Sequence, residues 1–146
     1  MGPRLQSRQS SRNGRNLQND PRTKPPGDRQ RAKSSWDRAR PYQRDIRVQP
    51  CVNKPSNSSY PSGHSAESAI WAALLGAAFP DKAAIFEAIV EETMWSRIIG
   101  GVHYPTDTQA GLMLGREIAR HLLASEDTQT AIATIRAETL ARIQTR

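Results

Sequence analysis

Residues 62–79 read SGHSAESAIWAALLGAAF, and this stretch decides the fold. From Ser65 to Phe79 it is an alanine-rich run of good helix formers, with Ser62 just ahead of it. Pro80-Asp81 breaks the run, and Asp81 is placed to cap a following helix. Residues 82–99 then carry Ala84, Ile85, Ala88, Ile89, Met94, Trp95 and Ile98 at roughly helical spacing, and Gly100-Gly101 ends them. Pro105 suits the first turn of a third helix that continues to Leu123. Ser125 or Asp127 caps a last amphipathic helix over 127–143, with Ile132, Ile135, Leu140 and Ile143 on one side.

Upstream of the decisive stretch, Pro41, Pro50, Pro55 and Pro61 leave room only for a short helix around Ser34–Ala39, and 42–61 reads as a loop approaching the site. No strand alternation and no repeat of 20–50 residues appears. The expected class is all-α, a helical bundle. Trp71 and Trp95 are expected in its core, and His121 on a partly exposed helix face.

The 146 residues suffice for one domain. Apolar residues make up only 36%, too few for the whole length to be packed core. Residues 1–32 carry eight Lys/Arg against two Asp, a net +6 of the total +7, and Leu5 and Leu17 are their only sizeable apolar residues. Such a segment cannot bury enough surface to offset its ordering entropy, so 1–32 is expected to be a disordered basic tail and 33–146 the domain. The basic balance favours anionic partners, but the tail lacks interleaved aromatics, which weighs against nucleic acid. Cys51 stands alone, so no intramolecular disulfide forms and no redox compartment is indicated. The longest apolar run, Ala69 to Phe79, is about half of what a membrane span needs, and the basic N-terminus lacks the apolar stretch of a secretory signal.

Three clusters carry chemistry: Lys33 to Arg40-Pro41, Tyr60-Pro61-Ser62-Gly63-His64, and Ser96-Arg97 to His103 and Asp107. Lys33, Arg38, Arg40 and Arg97 could surround one phosphate, with Arg offering paired donors. Ser62-Gly63-His64 lies at a helix start, where free backbone N–H groups favour an anion and Gly63 lets the backbone approach it. His64 then stands beside the bound anion as a proton donor. His103 and Asp107 are four residues apart, about one helical turn, so the carboxylate can hold the imidazole and fix its tautomer. Two histidines, one oriented by a carboxylate, plus several cations suit phosphoryl transfer.

The three clusters are complete, in order and spaced as in a known signature: Lys, six residues, Arg-Pro; Pro-Ser-Gly-His; Ser-Arg, five residues, His, three residues, Asp. On these residues the chain resembles the phosphatidic acid phosphatase type 2/vanadium haloperoxidase superfamily. SYPSGHSA at 59–66, Tyr42 after Arg40-Pro41 and the lack of a membrane-length apolar run look most like the bacterial class A non-specific acid phosphatases. The resemblance covers about 33–120 and implies a phosphomonoester hydrolase of the acid phosphatase type. His103 would form a phosphohistidine and Asp107 would orient it. His64 would protonate the leaving alcohol and then activate water. Lys33, Arg40, Ser62, Gly63 and Arg97 would hold the phosphate. It implies no metal and no cofactor, small phosphomonoester substrates, and vanadate bound at the same place. Arg38 is a weaker candidate for the same phosphate.

The resemblance also implies a periplasmic location and further helices before the first cluster, where this chain has its polar segment. The domain is therefore expected to be reduced, or its start truncated or misassigned, with apolar helix faces that favour homo-oligomers. Two alternatives stay open: a vanadium-dependent haloperoxidase, which uses the same anion site with vanadate as its cofactor, and a non-catalytic phosphate-binding remnant.

Overall fold

The computed structural model describes residue 33 and residues 35–145; the expected basic tail, 1–32, lies outside the described residues. The order is α1 (Pro41–Arg44), α2 (Gly63–Ala78), a 3-10 turn (Pro80–Lys82), α3 (Ala83–Ile99), α4 (Pro105–Leu123) and α5 (Glu126–Gln144). Among the described residues there is no strand, so the class is all-α, as expected.

Helix α2 begins where its sequence dictates. Ser62 is extended (φ −68°, ψ 116°), and its hydroxyl accepts from the Ser65 N–H at 3.3 Å, satisfying one of the free donors of the first turn. Pro80 lacks the N–H that a continuing helix needs, and the chain turns through 80–82 into α3. Asp81 does not cap α3: the N-cap is Lys82, without a side-chain cap, and the Asp81 carboxylate lies 3.5 Å from the Lys82 ammonium. Gly101 (φ 71°) takes the left-handed turn after α3, a conformation that favours glycine. Pro105 opens α4 at its first position, and Ser125 is the N-cap of α5 by backbone conformation, with no side-chain hydrogen bond.

Helix α2 packs chiefly against α4 and α3, and also meets α5. Its buried residues are small, including Ala66, Ala69 and Ala72, so neighbouring helices come close. Ala69 and Ala72 join Val90 and Met94 of α3 in the core, with Phe86 and Leu112 against them. On the α4 side the approach is backbone to backbone. A Cβ on Gly111 would collide with the Ser62 carbonyl oxygen, and one on Gly115 with that of Ala66.

One expectation about burial is corrected. Trp71 and Trp95 are 56% and 63% exposed, because the alanine stripe occupies the contact face of α2 and Val90 and Met94 that of α3. Helix α5 buries none of its residues. Asp127, Thr128, Ala131, Ile132 and Ile135 flank a crevice against the C-terminal half of α2, while Leu140 and Ile143 lie beyond it, exposed. His121 is exposed as expected.

Ahead of the bundle, Lys33, Ser35 and Trp36 are helical and Asp37 (φ 34°) ends that turn, so the expected helix around Ser34–Ala39 does not reach its second half. A one-turn helix, α1, opens the segment read as a loop. Pro41 fits its first position, and the Arg40 N–H donates to Gln43 Oε1 at 2.7 Å. Tyr42 Oη donates to the Pro55 carbonyl at 2.7 Å and holds the following loop back toward the bundle.

Alanine has better helix propensity than glycine by about 1 kcal/mol, but overlap with a carbonyl of a packed helix costs about 1–3 kcal/mol. Gly115→Ala should therefore be destabilising despite its helical position, with the melting temperature by circular dichroism falling by several degrees. An unchanged or raised melting temperature would contradict the close approach.

Candidate active site

Lys33, Arg40, Gly63, His64 and His103 line one cavity of about 200 Å³, with Pro55, Asn57 and Glu67 completing its wall. Three separate stretches of sequence thus meet: the segment before α1, the first turn of α2, and the residues leading into α4. Lys33 (5% exposed), Arg40 (2%) and His103 (4%) are buried, whereas His64 sits exposed at the rim. Asp107 lies behind His103 and is fully buried. Ser62 and Arg97 do not line the cavity. Ser62 is engaged structurally: its hydroxyl accepts from Ser65 Oγ at 2.9 Å, and its N–H donates to the Asp107 carbonyl at 2.9 Å. Arg97, in the last turn of α3, accepts the His103 N–H on its carbonyl at 3.2 Å, and its Nε is buried without a hydrogen-bond partner among the described residues.

The histidine and the carboxylate are paired by local geometry. Asp107 is the third residue of α4, and its Oδ2 accepts the Tyr104 N–H at 2.9 Å, which fixes the carboxylate at the helix start. From there Oδ2 lies 3.2 Å from His103 Nδ1. The ionised carboxylate only accepts, so Nδ1 carries the proton; the Arg40 guanidinium, whose Nη1 is 3.2 Å from Nε2, only donates, so Nε2 carries the lone pair. The two neighbours fix one tautomer between them, with the lone pair on the cavity side.

Burial pushes the His103 imidazole below its ordinary value, and the nearby Arg40 and Lys33 charges add to this; the hydrogen bond to Asp107 opposes them without prevailing. For Asp107, burial pushes the carboxyl up but is outweighed by donors: His103, the Ser59 hydroxyl at 2.5 Å, the Tyr104 N–H and the Arg38 charge hold it below the usual carboxylate value.

Two buried cations need compensation, and the loop supplies it. Arg40 donates from Nε to the Asn57 carbonyl (2.8 Å), from Nη2 to Asn57 Oδ1 (2.7 Å) and the Ser58 carbonyl (3.3 Å), and from Nη1 to the Val102 carbonyl (2.7 Å) as well as toward His103. Lys33 Nζ donates to the same Ser58 carbonyl at 2.7 Å. Burial lowers the Arg40 pKa from its ordinary value, yet a guanidinium stays charged.

Sequence reading missed Asn57, Ser58 and Ser59, which place carbonyls, an amide and a hydroxyl around the charges. Their one visible signal is a run of small polar residues directly before the Tyr60–His64 cluster. Arg38, the weaker phosphate candidate, does not line the cavity; its Nη1 donates to Asp107 Oδ1 at 2.8 Å and Thr106 Oγ1 at 2.7 Å.

The all-α bundle thus gathers buried cations around a carboxylate-held histidine, an arrangement whose charge suits an anion. Residues 30–131 match the family model of the PAP2 superfamily, and the chain belongs to that superfamily. It is similar to an acid phosphatase of Zymomonas mobilis subsp. mobilis (strain ATCC 31821 / ZM4 / CP4), 37% identical over 95 residues, which cover 61% of this chain and 36% of that relative. The chain thus spans about a third of the relative's length.

Both depressed groups make stability fall with acid. The unfolded chain protonates His103 near 6.5, above its folded value, so that stabilisation is complete above pH 6.5 and is lost as pH falls through the folded pKa. Asp107 adds a second loss, starting from 3.8 downward. In urea unfolding between about pH 7 and pH 5, His103→Gln should show a shallower loss of stability than the unsubstituted protein. Equal slopes would count against the depressed imidazole.

Proposed function

We propose that this protein hydrolyses phosphomonoesters without a metal ion, through a phosphohistidine on His103. The observation that carries the reading is the fixed tautomer: Asp107 accepts the Nδ1–H hydrogen bond, which leaves the Nε2 lone pair on the cavity side, between buried cations. Membership of the PAP2 superfamily and the likeness to an acid phosphatase support it.

In this reading the phosphoryl group enters between His103 and His64, with Lys33 and Arg40 beside its non-bridging oxygens. The Nε2 lone pair forms the N–P bond while the ester P–O bond breaks, and protonated His64 gives its proton to the departing alkoxide. All five Arg40 N–H donors are engaged, one of them toward Nε2. When Nε2 bonds to phosphorus, that donor is released to a phosphoryl oxygen, so stabilisation grows as the bond forms. Asp107 balances the positive charge on the phosphorylated imidazole. Water then gives a proton to His64 and attacks phosphorus, the P–N pair returns to His103, and inorganic phosphate leaves.

The Gly63 N–H at the start of α2 joins the phosphate contacts, and Ser62 holds it there by capping the helix. Arg97 adds positive charge beside Arg40. The charge that a metal would bring to the transition state comes from these side chains. Vanadate, a mimic of five-coordinate phosphorus, occupies the same cavity.

The test is p-nitrophenyl phosphate hydrolysis with chelator present, for the unsubstituted protein and His103→Ala. Turnover should resist the chelator, be inhibited by vanadate, and fall by about a thousandfold or more in His103→Ala. Turnover that survives the substitution would remove the phosphohistidine. No turnover from folded protein would favour an anion-binding role, and halide oxidation with vanadate and peroxide in its place would favour a haloperoxidase. Because His103 must be neutral and His64 charged, kcat/KM should follow a bell-shaped pH profile; a flat profile from about pH 4 to about pH 9 would overturn the two roles.

A further inference from the structure

Asp107 is held by more than the orientation of one histidine requires. Its Oδ2 serves His103, Ser59 and the Tyr104 N–H, while its other oxygen, Oδ1, accepts from Arg38 Nη1 at 2.8 Å. Arg38 is itself fixed. Its guanidinium carbon lies 4.2 Å from the centroid of the Tyr104 ring, the same Nη1 donates to Thr106 Oγ1, and its carbonyl accepts the Ser59 N–H at 2.7 Å. Its side chain is one-third exposed, whereas Asp107 is fully enclosed, so the charge meets the carboxylate from the solvent side.

We propose that Arg38 is a positioning residue that sets the pH range of His103, by neutralising on Oδ1 the carboxylate whose other oxygen holds the imidazole. The activity part of this inference rests on the reading of His103 as the nucleophile.

The sign follows from the charges that face the imidazole. Lys33 and Arg40, from the segment before α1, favour the neutral ring. Arg97, at the end of α3, lies close enough to Arg40 to act on its charge, and His64 and Glu67 of α2 share the cavity wall with His103. Asp107 is the anion in direct contact, and it favours the protonated ring. Arg38 balances that anion from its far side, so the imidazole keeps its lone pair to lower pH. Without Arg38 the carboxylate acts more strongly on the ring, against Lys33 and Arg40 alone, and the His103 pKa rises. The acid limb of kcat/KM then moves upward, because the nucleophile is protonated sooner.

The experiment follows the His103 imidazole by NMR titration in the unsubstituted protein, Arg38→Gln and Arg38→Lys, with pH–rate profiles for p-nitrophenyl phosphate on the same samples. Arg38→Gln should raise the His103 midpoint by roughly half a unit or more, and move the acid limb with it. Arg38→Lys, which keeps the charge, should titrate close to the unsubstituted protein. A midpoint that Arg38→Gln leaves in place overturns the proposal, even if activity falls, since lost packing alone lowers kcat without moving the titration. Equal midpoint shifts in the Gln and Lys variants also overturn it. If Arg38→Gln does not fold, Arg38→Met keeps the stem against Tyr104 without the charge and is read the same way. The titration needs no turnover, so an inactive protein would remove the phosphatase reading while still judging the role of Arg38.

Discussion

The crossing of α2 over α4 is the constraint on which the rest of the molecule depends. Gly111 and Gly115 let the α4 backbone rest against the carbonyls of Ser62 and Ala66, and the Ser62 N–H donates to the Asp107 carbonyl at the same end. The starts of both helices are thereby pinned together. Gly63 and His64 belong to one of those starts and His103 and Asp107 to the other, so a packing contact between backbones sets the spacing of the site. Side chains at 111 and 115 would hold the helices apart and separate the two halves. Small residues on both partners thus set the geometry of the cavity as well as the core.

The second constraint is electrostatic. Two buried cations on one small cavity, with a buried carboxylate behind its histidine, would be costly without partners. The loop before α2 meets that cost with the Asn57 and Ser58 carbonyls, the Asn57 amide oxygen and the Ser59 hydroxyl. The irregular segment is therefore as much a part of the site as the helices. Its backbone conformation, held by Tyr42 and by the Arg38–Ser59 contact, fixes where positive charge stands before any anion arrives. Under the proposed reaction, that is the preorganisation which electrostatic stabilisation of a transition state requires.

Much of this was legible in residue order. The alanine run, its proline stop and the glycine pair gave α2, α3 and α4 their ends to within one or two residues, since these features act locally through backbone hydrogen bonding and φ preferences. The His103–Asp107 pair was legible for the same reason, because four residues span one turn. Burial was less legible. Trp71 and Trp95 have core-forming side chains, yet which face of a helix is covered depends on its neighbours, and here alanines, Val90 and Met94 took the contact faces. Arg38 could not be assigned from spacing, because its partner is 69 positions away and two other arginines competed for the same role.

By itself the sequence determined that the described domain is helical, where α2 to α5 start and stop to within a residue or two, and which residue types form a histidine–carboxylate pair with a set of cations. These follow from interactions within a turn or two of chain. Only the tertiary structure decided which cations share the cavity, that Arg38 serves the carboxylate instead, and that Asn57, Ser58 and Ser59 hold the charges in place. Those outcomes depend on how desolvation is balanced among groups far apart in sequence, a balance set when α2 closes on α4 and absent from any local pattern.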